Sequence, residues 1–495
     1  MVFRGRTVLA LVVAAMLAGC LLTFAAFQQG LPFAGGADRA AGGPSEQASS
    51  GSKQSDILRG LTEEEISKIN TAYMIIENRY LKEIDRKEVV DGAIRGMLDV
   101  LGDPYSVYMD KTESAEFDQQ VGAFFTGIGA EVSMEDGYVV VVAPIKGSPA
   151  EKAGIRPRDL ILSVNGESLK GLSLNEAVMK IRGPKGTQAR LEILREGHSE
   201  PIELILVRDE IDLETVFSEM LEDGVGKIEI RQFSEHTVGS FKEQLADLKA
   251  QGLKALIIDV RNNPGGYLHG VVDILHELVP QGRVILQSEM RGSTREKVMS
   301  AGPGLNLPIV VLINGGSASA SEILAAAVRE SAGGKLVGET TYGKGTIQTQ
   351  YDRQFPDGSL LKLTTGKWLT PNGNWLDREG LKPDVEVALP EYFHVAPISR
   401  ERTLKMSDLG EDVKNMQIML SGLRFDPDRT DGYFSEETAE ALARFQESAG
   451  LAATGELNEE TVEMLERKVI EMMVKPENDR QLQEAIRVAR EMAGL

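Results

Sequence analysis

The chain reads as a multidomain α/β protein, and three observations point there. Residues 210–397 alternate strand-like runs (Ala255 to Val260, Ile309 to Ile313) with helical ones (Val271 to Val279, Ser319 to Glu330), the pattern of helices layered on a sheet. Residues 118–209 break instead into short β runs. Residues 404–468 then carry an internal repeat of helix-start signals. A length of 495 residues has room for about three or four such units.

Composition narrows the chemistry. Lys and Arg number 54 against 75 Asp and Glu, a net charge of −21, which excludes a phosphate backbone as the main partner and so nucleic acid. One cysteine permits neither an intrachain disulfide nor a cysteine-clustered metal site. The five histidines lack metal-ligand spacing such as HExxH, so no metal and no cofactor is implied.

From the N-terminus, Arg4 and Arg6 precede an uncharged apolar run from Val8 to Phe27. Its 20 residues span about 30 Å as a helix, the thickness of bilayer hydrocarbon. Residues 1–28 therefore read as a signal or single membrane anchor, with the arginines inside and the rest of the chain extracytoplasmic. Leu17-Ala18-Gly19-Cys20 also resembles a lipobox, although Leu21 to Phe27 stays apolar where a lipoprotein turns polar. Residues 29–56, rich in Gly, Ala, Ser and Pro, read as a flexible linker. Within a helical segment at 57–117, the spacing predicts helices over 62–82 and 86–101; Thr62 followed by Glu63, Glu64 and Glu65 is a helix start.

In the β-rich region the runs are Tyr138 to Val142, Leu160 to Val164, Leu191 to Leu194 and Ile202 to Val207. Ser148-Pro149-Ala150-Glu151-Lys152-Ala153-Gly154, Arg158-Asp159-Leu160-Ile161 and Val164-Asn165-Gly166 occur between them, in order. With these motifs residues 118–209 resemble a bacterial PDZ domain. Such a domain binds a peptide C-terminus by strand addition, its carboxylate held by loop N–H groups. The resemblance makes Thr126-Gly127-Ile128-Gly129 that loop, and Arg182 in the turn Arg182-Gly183-Pro184-Lys185-Gly186 either a sensor of bound peptide or a surface arginine.

Toward the C-terminus, Asp431-Gly432-Tyr433-Phe434-Ser435-Glu436-Glu437-Thr438 is echoed by Thr454-Gly455-Glu456-Leu457-Asn458-Glu459-Glu460-Thr461. Ser435 and Asn458 are good N-caps. Residues 398–475 resemble the small three-helix peptidoglycan-binding domain; the alternative is a helical packing module without glycan binding. The last helix, within 476–495, is amphipathic and able to pair with a second subunit.

Chemistry concentrates in three segments of the α/β region. Asn314-Gly315-Gly316-Ser317-Ala318-Ser319-Ala320-Ser321-Glu322 joins an apolar strand to a helix, where a nucleophile is exposed and free N–H groups stabilise negative charge. Gly343-Lys344-Gly345 places a lysine between two glycines, bracketed by apolar segments. Asp259-Val260-Arg261-Asn262-Asn263-Pro264-Gly265-Gly266 ends a strand in a turn that exposes N–H groups, as an oxyanion site requires.

In this order the three segments closely resemble the carboxy-terminal processing (tail-specific) protease family, over roughly residues 60–397. The resemblance implies a ClpP/crotonase-like α/β serine protease core at 210–397, a Ser–Lys dyad and substrates recognised by their C-termini. Residue by residue it makes Ser319 the nucleophile, Lys344 the base, Gln348 its orienting partner, and the N–H groups of Gly265 and Ala320 the oxyanion hole. It places the chain in the Gram-positive, sporulation-type branch, which implies a homodimer and suggests regulatory proteolysis in the cell envelope or in sporulation. A lysine takes a proton only when neutral, far below its usual titration near 10.4, and an apolar pocket supplies that shift. Two other readings stay open: a Ser–His–Asp hydrolase using His269 and Asp259, and a non-catalytic wall-bound scaffold.

Overall fold

The computed structural model describes residues 60–135, 137–195 and 200–495. The expected anchor, the linker and Cys20 lie outside the described residues, and no helix among these is long and apolar enough to cross a membrane. The chain divides into two compact units, residues 1–83 and 84–495.

In the first unit, helix Glu63–Arg79 starts as its sequence demands: Thr62 caps it, and the Glu65 carboxylate reaches back to the Thr62 N–H at 2.7 Å. None of its residues is buried, and Ile66, Ile69, Met74, Ile75 and Ile76 are exposed.

The second unit centres on a six-stranded sheet in the order Val216–Met220, Val225–Ile230, Ala255–Asp259, Ile309–Ile313, Lys335–Gly338, Val385–Glu386. The first pair is antiparallel and the rest are parallel. Ala255–Asp259 and Ile309–Ile313 are buried at every residue, which is why they are apolar throughout except for Asp259 at the end of the first. On one face Ile258, Val311 and Ile313 pack with Phe241, Leu275 and Leu324 from helices Thr237–Ala250, Leu268–Leu278 and Ala320–Ser331.

The other face is covered by the chain's own C-terminal helix, Arg480–Ala493. Its Leu482, Ala485, Val488 and Ala489 pack on Ala255, Ile257, Val310, Leu312 and Val337. This corrects the expectation for the last helix: its apolar stripe lies on the protease sheet of its own chain. An ion cluster fixes its start. Arg261 donates to Asp479 through Nη1 and Nη2 at 3.0 and 2.7 Å, to Gln481 at 3.1 Å, and to Asp259 through Nη2 at 2.6 Å.

A second, antiparallel sheet stands beside the core, in the order Val107–Met109, Leu360–Leu369, Val284–Met290, Glu296–Met299, with Thr346–Tyr351 also on Leu360–Leu369. It carries residues 103–109 of the helical segment onto the protease core. The β-rich region forms a sheet of Ala130–Glu135, Tyr138–Pro144, Leu160–Val164, Gln188–Leu194 and Ile202–Val207, closed around Val139, Val141, Ile161, Leu191 and Ile193. Helices Glu411–Gly422, Glu436–Ser448 and Glu459–Met473 bury Met416, Phe434, Phe445 and Leu465 between them.

The internal repeat has a physical basis. Gln417 Oε1 accepts the Gly432 N–H at 2.9 Å and its Nε2 donates to Thr438 Oγ1 at 3.0 Å. One repeat later Gln446 does the same with Gly455 at 2.9 Å and Thr461 at 3.1 Å. Each turn thus draws its polar groups onto a buried glutamine of the preceding helix.

Candidate active site

Strand Ile309–Ile313 delivers the chain into a turn that treats its three serines differently. Ser317 and Ser321 are fully buried. Ser317 Oγ donates to the Val260 carbonyl at 2.8 Å and Ser321 Oγ to the Asn263 carbonyl at 2.9 Å, so both fasten the turn to the strand-end loop beside it. Ser319, between them, is partly exposed, lines a cavity of about 340 Å³, and its hydroxyl donates to no group among the described residues. Its backbone is left-handed, φ 53° and ψ −110°. A serine held there carries roughly 1–3 kcal/mol of strain, which the surrounding bonds must sustain.

Those bonds come from Glu322, a fully buried acid. Its Oε2 accepts the N–H of Ser319 at 2.8 Å and of Lys344 at 2.9 Å. Its Oε1 accepts the Thr341 hydroxyl at 2.6 Å and the Gly343 N–H at 2.8 Å. One carboxylate with four donors clamps the serine turn to the lysine loop.

Lys344 lies on the same cavity. The chain's two tryptophans hold its loop: Trp368 Nε1 donates to the Lys344 carbonyl at 2.8 Å and Trp375 Nε1 to the Gly345 carbonyl at 2.9 Å. Its Nζ sits 4.8 Å from the centre of the Tyr105 ring. Burial pushes the Lys344 amine below the usual lysine range, the charge of Lys362 pushes further, and Glu322 and Asp103 oppose both. The direction is the one a general base needs.

Two further expected residues lie at this cavity. Gln348 lines the cavity, but its Nε2 donates to Thr346 Oγ1 at 2.9 Å and Thr364 Oγ1 at 3.2 Å, which leaves only its carbonyl oxygen to face an amine. Gly265 is close to the serine, and a Cβ added to it would lie 3.0 Å from Ser319 Cβ. With φ at 108°, however, its N–H is turned onto Asn263 Oδ1 at 2.9 Å. The Ala320 and Gly266 N–H groups donate to no other group among the described residues.

The histidine alternative has no geometry behind it. His269 is exposed and stacked on Tyr267 at 5.1 Å, outside the residues that line the cavity, and Asp259 is bound to Arg261. Sequence reasoning passed over Glu322, Asn263, Tyr105 and Lys362. Glu322 had a signal, because an acid three residues after a helix-capping serine is the capping-box pattern.

A second pocket, of about 150 Å³, gathers the other predicted set. Gly127, Ile128, Gly129 and Arg182 line it, together with Phe125, Val132 and Val178. Thr126 does not; it pairs with Glu210 in the short ladder of Phe124–Gly127 with Asp209–Asp212. Gly129 has φ 75°, and a Cβ there would sit 2.3 Å from Ser148 Cβ, so the loop needs glycine. The Arg182 guanidinium lies 4.9 Å from the centre of the Phe125 ring at the pocket's edge. Helix Lys111–Gly122 connects the two sites: its Phe117, Gln120 and Val121 line the catalytic cavity, and the chain passes from it directly into Phe124–Gly127.

Comparison with known proteins agrees with this architecture. A model of Peptidase family S41 matches residues 224–387, one of a PDZ domain 140–195, one of a peptidoglycan binding domain 410–465, and one of the activating protease CtpB N-terminal domain 16–113. The chain is 44% identical over 426 residues to carboxy-terminal processing protease CtpB of Bacillus subtilis, covering 85% of this chain and 88% of that one. It is 42% identical over 422 residues to CtpA of the same organism, covering 85% and 89%. Among solved structures it resembles the photosystem II D1 C-terminal processing protease at 30% identity, with a TM-score of 0.40 over 65% of this chain and 86% of that one. The chain belongs to the carboxy-terminal processing serine proteases of peptidase family S41, with a PDZ domain and a C-terminal helical peptidoglycan-binding domain.

Proposed function

We propose that this protease is a membrane-anchored, extracytoplasmic endopeptidase that reads substrate C-termini through its PDZ pocket and cuts with Ser319 and Lys344. The observation that carries the dyad is Glu322: a single buried carboxylate holds the backbones of both residues at one cavity. Neutral Lys344 takes the Ser319 proton as Oγ attacks the scissile carbonyl, and the resulting ammonium protonates the departing amine. Ala320 N–H receives the oxyanion. The second donor comes from the Gly265–Gly266 turn, where Gly266 N–H is unengaged and Gly265 N–H must first leave Asn263. Water then cleaves the acyl-enzyme, with Lys344 again as base.

The substrate carboxylate sits on the Ile128–Gly129 loop beside Arg182. Because helix Lys111–Gly122 leads from the catalytic cavity into this pocket, bound peptide both recruits and activates. The anchor rests on the uncharged run from Val8 to Phe27. The uncovered apolar side chains of helix Glu63–Arg79 support a homodimer, and the helical module supports retention on peptidoglycan. Regulatory proteolysis in the envelope or in sporulation fits this set of parts.

The test is fluorophosphonate labelling of the full chain with a C-terminal peptide at saturation. The expected outcome is an adduct on Ser319 that disappears in Lys344→Ala. Undiminished labelling and hydrolysis in that variant would remove the dyad, and no adduct in the wild type would favour a scaffold.

A further inference from the structure

Two lysine side chains line the cavity of Ser319, and the reaction above uses one of them. The other is Lys362, on strand Leu360–Leu369, in register with Val107 on one side and Gln350 on the other. Its Nζ lies 4.7 Å from the centre of the Phe117 ring; burial pushes the Lys362 amine below the usual lysine range and the charge of Asp103 opposes this. The strand is paired on both edges, which fixes its backbone, and Lys362 is half-buried.

We infer that Lys362 is a positioning residue for catalysis: its ammonium, held in the cavity of Ser319 and Lys344, keeps the Lys344 amine free of its proton. The inference rests on the dyad reading. Charged and titratable groups approach this corner from several elements. From helix Ala320–Ser331 comes Glu322, from the segment before Val107–Met109 come Asp103 and Tyr105, from the lysine's own loop comes Tyr342, and Asp377 accepts the Gly345 N–H at 3.1 Å. The two carboxylates that favour a charged Lys344 are already occupied. Glu322 accepts four donors, and Asp103 accepts the Ser106 hydroxyl at 2.5 Å and the Tyr105 N–H at 3.2 Å. Lys362 is the one cation lining the cavity besides Lys344. After burial it is the main cause of the depressed Lys344 titration. Like charges sharing a site disfavour each other's charged form.

The experiment is the pH dependence of Ser319 labelling by a fluorophosphonate, in the full chain with saturating C-terminal peptide. Lys362→Met removes the charge and keeps the aliphatic contact with Phe117. Its acidic limb moves up by about one pH unit, so labelling at neutral pH falls about tenfold. Lys362→Arg keeps the charge and holds the limb near the wild-type position. Lys362→Gln serves the same comparison should Met disturb folding, which thermal unfolding reports. A limb that stays in place in the neutral variants, or a uniform loss at every pH, overturns the inference while leaving the dyad intact. Labelling that ignores Lys344→Ala overturns the dyad itself.

Discussion

Ser319 and Ser435 occupy the same position in two helices and lead opposite lives. Each directly precedes a helix, and each is followed by acids in the first turn. Ser435 has ordinary extended angles, φ −81° and ψ 175°; its Oγ accepts the Thr438 N–H at 3.0 Å and donates to Asp428 at 3.0 Å. Ser319 is left-handed, its N–H is taken by Glu322, and its hydroxyl proton is given to no described group. A capping serine is freed for other chemistry when an acid takes over the backbone and a cavity opens at the oxygen. The helix N-terminus alone does not do it; the carboxylate beneath does.

The largest effect expected from breaking this comparison is in Ser319→Ala, where peptide hydrolysis falls on the order of 10⁶-fold while the fold is retained. Steady-state hydrolysis of a C-terminal reporter peptide checks it. Glu322→Gln comes next. Its amide turns an NH2 toward backbone N–H groups that now meet an oxygen, which costs about 3 kcal/mol in urea unfolding. Loosening of the serine–lysine geometry then lowers hydrolysis on the order of 10²-fold. A Glu322→Gln enzyme with wild-type rates would mean that the clamp is idle. Smallest is Ser435→Ala, which removes a cap and costs about 1 kcal/mol of stability with hydrolysis unchanged.

Much of this was legible beforehand. Runs such as Ile309–Ile313 announce a buried parallel strand, and the order of three short motifs announces the family's chemistry. What stayed hidden depends on which way a small group turns. The direction of the Gly265 N–H follows from a positive φ and from Asn263, two residues away, and no pattern of residue types states it. Glu322 stood inside a quoted motif but had no partner until the loop of Gly343 and Lys344 was folded against it. The amphipathic stripe of Arg480–Ala493 showed that one face is covered; it did not show by what. Lys362 looked like any strand lysine until Val107–Met109 paired alongside it and narrowed its surroundings.

The docking of Arg480–Ala493 has a consequence for the enzyme's own survival. This helix forms one slab of the protease's own interior. A sister molecule that trimmed these residues would wet Ile257 and Leu312 and strand Arg261 beside the catalytic turn. Proteolysis within this helix would therefore open the wall of the core that stands behind the sheet.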